Sequence, residues 1–374
     1  MAGIYIHIPF CKQSCYYCDF HFSTSLKKKN ELLFAIRKEL VLRATDFEGQ
    51  SVETIYFGGG TPSLLSNEEL QVMIDTIYKC YHVIKNPEIT LEANPDDLTK
   101  DRIIELSQSS INRLSIGIQS FINDHLIMMN RAHNSEEATK CLKHATKYFD
   151  NISIDLIYGI PGMNLTTWHD NLHTAFNFGV NHISSYALTV EPKTALHNFI
   201  DKGLYPPLDE EVARQHFEHL IIEAEKCGFV HYETSNFGKP EYFSIHNSRY
   251  WEGKSYLGIG PSAHSFHHGK RSWNIRNNIK YILSLEKDTL PCEVEILSDK
   301  DRYNEYIMLR LRTIWGISLS TVEKNFSPEF VRYLINATQS HLKNGVLEMS
   351  EGNIKATRKG MFLIDGIASD LFMI

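Results

Sequence analysis

Three cysteines near the amino terminus carry the strongest chemical signal in this chain. Cys11, Cys15 and Cys18 stand in one short segment, at a spacing that lets three soft thiolates hold one iron–sulfur cluster or one metal ion. A structural zinc ion would need a fourth ligand, which His7 or His21 could supply. A four-iron cluster would be left with one iron open to an outside ligand. The spacing predicts such a cluster, with zinc as the alternative.

The other four cysteines, Cys80, Cys141, Cys227 and Cys292, lie singly along the chain. Seven cysteines in 374 residues are too few and too scattered for a disulfide framework. We therefore interpret the four single cysteines as small, buried apolar residues.

The charge of the chain argues against nucleic acid as a partner. There are 38 Lys+Arg against 45 Asp+Glu, a formal net charge of −7, without long runs of one sign. No stretch approaches the roughly 20 apolar residues that a membrane span needs, and Met1 leads directly into Ile4–Phe10 without a secretory leader. We expect a cytoplasmic protein with no membrane span, although a membrane protein remains a candidate partner.

Apolar runs alternate with amphipathic stretches over the first half of the chain, which predicts βα units and a parallel sheet in an α/β fold. The six predicted strands are Ile4–Ile8, Val52–Phe57, Glu88–Ala93, Arg113–Ile118, Asn151–Ile157 and His182–Thr189. The helices predicted between them are Lys27–Thr45, Asn67–His82, Lys100–Ser109, Glu136–Tyr148 and Leu165–Phe178. Ser66 and Glu69 have the spacing of a capping box at the start of the second helix.

The pattern loosens beyond Asp209, and the last part of the chain reads as a separate unit. Short helices and two strands that flank Glu351-Gly352-Asn353 indicate a small winged-helix-like domain. Its ten Lys/Arg and nine Asp/Glu leave it without a basic surface, so we interpret it as structural. The predicted units are residues 1–230, a barrel; 231–297, an extension of the barrel; and 298–374, the C-terminal domain.

Three further motifs need an interpretation. Gly58–Pro62 follows the second strand with backbone that a ligand can approach closely, and no Gly-Lys-Ser/Thr follows it as in a nucleotide P-loop. Gly258–Ala263 fits a dinucleotide fingerprint by letter but lacks the βαβ context, so a tight loop is favoured. The pair His267-His268 has no adjoining carboxylate or thiol, and we interpret it as a solvated loop.

Taken together, the motifs resemble the radical-SAM superfamily, and within it the oxygen-independent coproporphyrinogen III oxidases and their relatives. The resemblance rests on the three cysteines, Gly58–Pro62, Glu92–Pro95, Arg113–Gln119, Asn130-Arg131 and Asp155–Gly162. It implies a partial (β/α)6 TIM-like barrel and a [4Fe–4S] cluster whose open iron binds S-adenosylmethionine (SAM). The SAM contacts that it implies are Tyr5, Tyr17, Gly59, Gly60, Thr61, Glu92, Gln119, Arg131, Asp155 and Ala187. On this basis a side chain at Gly60 should weaken SAM binding and spare the cluster.

A later motif points to one group within that branch. His246-Asn-Ser-Arg-Tyr250-Trp251 resembles the His-Asn-x-x-Tyr-Trp element of the HemW-type heme chaperones. An imidazole is a good axial ligand for heme iron, and aromatic rings offer apolar faces to a porphyrin. The resemblance implies that His246 ligates heme, that the heme passes to acceptor proteins, and that the cluster or SAM regulates transfer, heme state or homodimerisation.

The rival prediction is an enzyme. The oxidases carry a further cysteine two residues after the third cluster thiol, where this chain has Phe20, and a longer segment before the first strand. Both differences favour a heme carrier over an oxygen-independent coproporphyrinogen III oxidase, which abstracts hydrogen from propionate side chains. Radical-SAM chemistry on an unrelated substrate is the third alternative.

Overall fold

The computed structural model describes residues 2–374 and has an α/β architecture. Its strands are β1 Ala2–Ile8, β2 Ser51–Gly59, β3 His82–Ala93, β4 Arg113–Gln119, β5 Ile152–Tyr158, β6 His182–Ala187, β7 Val230–Glu233, β8 Asn236–Gly238, β9 Tyr256–Ile259, β10 His264–His267, β11 Lys270–Asn274, β12 Cys292–Ile296, β13 Ile317–Ser318, β14 Leu347–Ser350 and β15 Asn353–Ala356. Its helices are α1 Lys29–Leu42, α2 Asn67–Cys80, α3 Lys100–Ser107, α4 Asn123–Met128, α5 Ser135–Tyr148, α6 Leu165–Asn177, α7 Ala195–Asp201, α8 Glu210–Lys226, α9 Ile245–Trp251, α10 Asn278–Glu286, α11 Asp299–Leu311, α12 Leu319–Asn325, α13 Pro328–Lys343, α14 Arg358–Met361 and α15 Ile364–Asp370.

The large sheet contains the six predicted strands as β1 to β6, paired in parallel in chain order. A seventh parallel strand, β9, lies on the other side of β1, with Gly3 opposite Tyr256 and Ile6 opposite Ile259. Within residues 2–374 the strand order is β12-β11-β10-β9-β1-β2-β3-β4-β5-β6-β8-β7, so the sheet is open. The sequence did not predict β9.

Residues along the parallel strands alternate between two faces. Aliphatic residues such as Ile4, Ile55 and Leu114 are fully buried in the main apolar core. The positions between them carry polar or aromatic side chains at paired register positions, namely Tyr5 opposite Tyr56, Glu92 opposite Ser115 and Asp155 opposite Ser184. This alternation gives the barrel a polar inner face, which places functional groups from six strands together.

The capping box predicted at the second helix is confirmed. The Ser66 side chain accepts a hydrogen bond from the Glu69 backbone N–H, and the Glu69 carboxylate accepts one from the Ser66 backbone N–H. Such a cap satisfies two N–H groups that the first helical turn leaves without partners.

A buried carboxylate on α1 fixes the loop after β9. Glu39 is fully buried and accepts hydrogen bonds from Gly260 N–H at 2.9 Å, Asn274 Nδ2 at 2.7 Å and the Tyr281 hydroxyl at 2.5 Å. Burial raises the pKa of this carboxyl group. A nucleotide fingerprint would continue into a helix, whereas strand β10 follows here. The loop predicted for Gly258–Ala263 is found at 260–263, while Gly258 and Ile259 belong to β9.

The C-terminal segment has its own apolar cluster and a small sheet of order β13-β15-β14. Buried residues from α11, α13 and β14, among them Tyr303, Leu334 and Leu347, form the centre of that cluster. Across residues 2–374, none of the helices combines the length and apolar character that crossing a membrane requires.

Candidate functional site

The three cysteines lie just beyond the carboxyl end of β1 and share one cavity. Backbone hydrogen bonds hold the segment, from Cys11 N–H to Ser23 O at 3.1 Å and from Cys18 N–H to Cys15 O at 3.2 Å. None of the three forms a disulfide. Burial raises the pKa of the Cys11 thiol to about 11 and also raises that of Cys18, so these thiols need a bound cation to ionise at neutral pH.

The donor set fits a cluster better than a single zinc ion. A Zn–S bond of about 2.3 Å keeps any two thiolates on one ion within about 4.6 Å of each other. The three cysteine sulfurs do not all lie within 4.8 Å of one another. Within residues 2–374, the three ligand atoms of His, Cys, Asp or Glu that do so belong to α6 and α8. The histidines that might complete a zinc site are also engaged, because His7 Nε2 bonds His21 O and His21 Nε2 bonds Asn278 Oδ1.

The cavity behind the cysteines has a volume of about 350 Å³ and brings together most of the predicted SAM contacts. Besides the cysteines, the predicted residues that line it are Tyr17, Gly59, Gly60, Thr61, Glu92, Gln119, Arg131 and Asp155. Two predicted contacts lie elsewhere. Tyr5 lines the neighbouring cavity, and Ala187 ends β6 opposite Tyr158.

Two carboxyl groups that line this cavity can attract a cation. Glu92 accepts hydrogen bonds from the Tyr56 hydroxyl at 2.8 Å and from Gly59 N–H at 3.0 Å. Burial raises the pKa of Glu92 to about 7, and burial likewise raises the pKa of Asp155 to about 6. A ligand ammonium or sulfonium would relieve the cost of ionising these groups, so their positions suit SAM.

Arg131 supplies a positive charge to the same cavity. Its guanidinium donates to Asn94 Oδ1 at 2.7 Å, Gly117 O at 2.9 Å and Cys15 Sγ at 3.4 Å. The buried Nε atom has no hydrogen-bond partner within residues 2–374. The guanidinium thus lies beside the Cys15 sulfur, and its free Nε donor suits a ligand carboxylate.

The glycines at the end of β2 serve the packing of the protein itself. A Cβ atom on Gly60 would stand 2.6 Å from Phe10 O and 2.7 Å from Ile8 O, which belong to the backbone that leads into the cysteines. Gly59 has a φ of +107°, and a Cβ atom there would lie 2.5 Å from the His7 ring. The expectation that Gly60 leaves room chiefly for the ligand is therefore revised, because a side chain would first displace the cysteine segment.

A second cavity, of about 620 Å³, adjoins the first and contains His246. A hydrogen bond of 2.8 Å joins His246 Nδ1 to Thr54 Oγ1, whereas Nε2 has no hydrogen-bond partner within residues 2–374. Burial lowers the pKa of His246 to about 4, so the imidazole is neutral at neutral pH. Glu88 anchors the start of α9 by accepting the backbone N–H groups of Ile245 and His246.

Three side chains, Phe20, Glu92 and Tyr186, line both cavities. Phe20, at the position where the oxidases have cysteine, is 72% exposed. Tyr250 lines the larger cavity, whereas Trp251 packs over the Arg312 guanidinium at 5.7 Å. The aromatic pair thus divides between the cavity and the contact with the C-terminal segment.

Sequence reasoning missed Tyr186, which lines both cavities, and Tyr56, which lines the larger cavity and donates a hydrogen bond to Glu92. Both lie on the inner face of the barrel, where the alternation of residues along β2 and β6 could have indicated them. The prediction that the four single cysteines are buried was wrong for Cys227, which is exposed. Cys141 is buried as expected, and Cys80 and Cys292 are half-buried.

Comparison with known families agrees with this geometry. Residues 5–175 match the radical SAM superfamily, and residues 297–363 match the HemN C-terminal domain. A solved structure of coproporphyrinogen III oxidase (HemN) from Escherichia coli, a radical SAM enzyme, superposes with a TM-score of 0.86 at 22% sequence identity, over 100% of this chain and 90% of that one. Fold and cysteine site together define a radical-SAM protein.

Relatives with similar sequences place the chain in one family within the radical-SAM class. The heme chaperone HemW of Bacillus subtilis is 34% identical over 372 residues, which cover 97% of each chain. The heme chaperone HemW of Escherichia coli is 36% identical over 270 residues, covering 70% of this chain and 69% of the relative. The chain belongs to the HemW family of radical-SAM proteins.

Proposed function

We propose that this chain is a heme chaperone, which binds heme in the 620 Å³ cavity and passes it to acceptor proteins. The observation that carries the proposal is the state of His246. Its Nδ1 is held by Thr54 and its neutral Nε2 remains available beside a cavity of the size typical for small-molecule sites. An imidazole fixed through one nitrogen presents the other to iron in a defined orientation.

The same proposal assigns the cysteine cavity to the [4Fe–4S] cluster and SAM. Cys11, Cys15 and Cys18 hold the cluster, and Arg131 donates a hydrogen bond to the Cys15 sulfur. Glu92 faces the SAM ammonium, a role supported by the two donors that fix the orientation of its carboxylate. The cluster, when bound, supplies an iron that chelates SAM and can transfer one electron.

The remaining SAM contacts are proposed from their position in the same cavity. They are Tyr17, Gly59, Gly60, Thr61, Gln119 and Asp155. Tyr5 and Ala187, which lie outside this cavity, are proposed from the family resemblance alone. Because Glu92 and Tyr186 line both cavities, we propose that SAM or the cluster regulates heme transfer or homodimerisation through these shared side chains.

The organisation and location of the chain are proposed on similar grounds. We assign residues 1–230 to the barrel, 231–297 to its extension and 298–374 to the C-terminal domain, which is supported by the separate apolar cluster of that last segment. A site of three reduced thiols favours the cytoplasm. We propose no nucleic-acid partner and leave a membrane protein among the candidate acceptors.

The test measures heme binding and coproporphyrinogen III decarboxylation in one preparation. After anaerobic reconstitution of the cluster, we expect one heme per chain by absorption titration and no decarboxylation of coproporphyrinogen III with SAM and a reductant. Decarboxylation without stoichiometric heme binding would replace the chaperone with the oxidase. The matched variant His246→Ala should lose heme while keeping four irons.

A further inference from the structure

Two neighbouring outer helices carry a cluster of histidines that neither cavity uses. His169 and His173 stand one turn apart on α6, and His219 and Glu223 stand one turn apart on α8. Residues at this spacing lie on one face of a helix, so each helix presents a pair of metal-ligating side chains. The two pairs meet between the helices.

The distances within the cluster are short. A hydrogen bond of 3.0 Å joins His169 Nδ1 and His219 Nε2, and 3.5 Å separates His173 Nε2 from Glu223 Oε2. The rings of His169 and His173 have centroids 4.2 Å apart. Ligand atoms of His169, His173 and Glu223 all lie within 4.8 Å of one another.

We propose that His169, His173 and Glu223 form a binding site for one divalent transition-metal ion of the zinc class. Ligand atoms on a tetrahedral zinc at 2.0–2.1 Å are about 3.4 Å apart, and the gap between His173 Nε2 and Glu223 Oε2 already matches this value. A solvent molecule takes the fourth position, because His173 is half exposed at 51%. His219 is the positioning residue, since its hydrogen bond holds the His169 ring.

The charges around the cluster support a cation of this kind. Glu223 is buried, with its side chain 8% exposed, and Lys226 contacts only Oε1, at 2.7 Å. Oε2 therefore remains for an ion. Two imidazoles and one carboxylate suit zinc, whereas calcium and magnesium prefer sites made of oxygen atoms alone.

Such an ion would join two elements that are distant in sequence. Helix α6 connects β5 to β6, and α8 precedes β7 at the far edge of the sheet. An ion bound only by the folded chain stabilises it, and zinc at a hundredfold excess over its dissociation constant should raise the melting temperature by about 3 °C in a chain of this length.

The experiment uses the full chain with its cluster reconstituted under anaerobic conditions, so that the cysteines are occupied. Titration with zinc chloride is followed by calorimetry and thermal melting, and zinc X-ray absorption reports the ligand type. We expect one zinc per chain with nitrogen and oxygen neighbours near 2.0 Å. His173→Gln, at an exposed position that preserves folding, should weaken binding at least a hundredfold, and His219→Gln about 10- to 100-fold.

The pair His267 and His268 provides the control, because their rings are also close, at 3.9 Å, but lie outside the cluster. His267→Gln/His268→Gln should bind zinc as the unchanged protein does. Three outcomes would overturn the site: no stoichiometric zinc, unchanged affinity in both His173→Gln and Glu223→Gln, or sulfur scattering near 2.3 Å, which would assign the zinc to cysteine.

Discussion

The ring of Tyr56 stacks on the imidazole of His246, with centroids 4.9 Å apart and planes inclined by 29°. The hydroxyl of the same tyrosine donates a 2.8 Å hydrogen bond to Glu92. Tyr56 therefore contacts both His246, the proposed heme ligand, and Glu92, the carboxylate proposed to bind SAM. Its two contacts can be separated by mutation, because the stack needs the ring and the hydrogen bond needs only the hydroxyl.

Tyr56→Phe should separate SAM binding from heme binding. The variant keeps the ring against His246 but removes the hydrogen bond to Glu92, a bond to a charged group worth roughly 1.5 kcal/mol. We expect about a tenfold weaker SAM affinity, measured by calorimetry on cluster-loaded protein, and unchanged heme affinity. An equal loss of both affinities would contradict separate roles for the ring and the hydroxyl.

His246→Ala should abolish or strongly weaken heme binding while iron content and SAM binding persist, because the residue does not line the cysteine cavity. Heme titration by absorption spectroscopy gives the affinity, and a parallel thermal melt detects general destabilisation. His264→Gln is the matched control, since His264 lines the same cavity. Native heme affinity and spectrum in His246→Ala would remove the proposed ligand.

Glu92→Gln should change how stability depends on pH. Burial raises the pKa of Glu92 from the usual 4.5 to about 7, so the folded chain retains this proton longer than the unfolded chain does. The folded protein therefore loses stability as pH rises from about 4.5 to about 7. Relative to the unchanged protein, we expect the variant to gain up to about 3 kcal/mol between pH 4.5 and 8.

Urea unfolding of the SAM-free proteins across this pH range measures the gain from Glu92→Gln. Any mismatch between the new amide and its donors, Tyr56 and Gly59, adds a constant difference at all pH values. A free-energy difference that stays flat from pH 4.5 to 8 would show that Glu92 ionises normally in the folded chain.

Replacing any one of Cys11, Cys15 or Cys18 by alanine should prevent the chain from retaining about four irons after anaerobic reconstitution. Cys227→Ala is the control, since this exposed thiol lies at the end of α8, away from the cysteine cavity. Iron and sulfide analysis measures the cluster content of each variant. Full iron in Cys15→Ala, or its loss in Cys227→Ala, would argue against the assignment.

Gly60→Val should lower cluster content as well as SAM binding. The added side chain would press on Phe10 O and Ile8 O, and the displaced backbone leads directly into Cys11. Iron analysis and SAM titration of the same sample separate the two effects. If the variant binds four irons normally and loses only SAM, the simpler expectation from the sequence is the correct one.

The parallel core and the cysteine site were predictable because their signals are local. Each of the strands β1 to β6 is an apolar run next to an amphipathic helix, and Cys11–Cys18 is one continuous segment. Strand β9 was missed because its four residues, Tyr-Leu-Gly-Ile, include a glycine and pair with a strand some 250 residues earlier. Local patterns contain no information about such a partner.

The histidine cluster was missed for the same reason. His169 and His173 alone read as surface residues of an amphipathic helix, and His219 and Glu223 likewise. Only the packing of α6 against α8 brings the four together. The motifs of the two sites were recognisable in the sequence. That Tyr56 contacts both Glu92 and His246 depends on the register of β2 with its neighbours, which local patterns do not give.

The position of β1 between β2 and β9 constrains the order of events during protein synthesis. Strand β1 has one edge without its partner until residues 256–259 have been translated. At roughly 5–20 residues per second, this edge stays unpaired for about ten seconds or more, as a template for wrong pairing. Iron loading should therefore follow translation of most of the chain, since the cysteine segment extends from this late-completed strand.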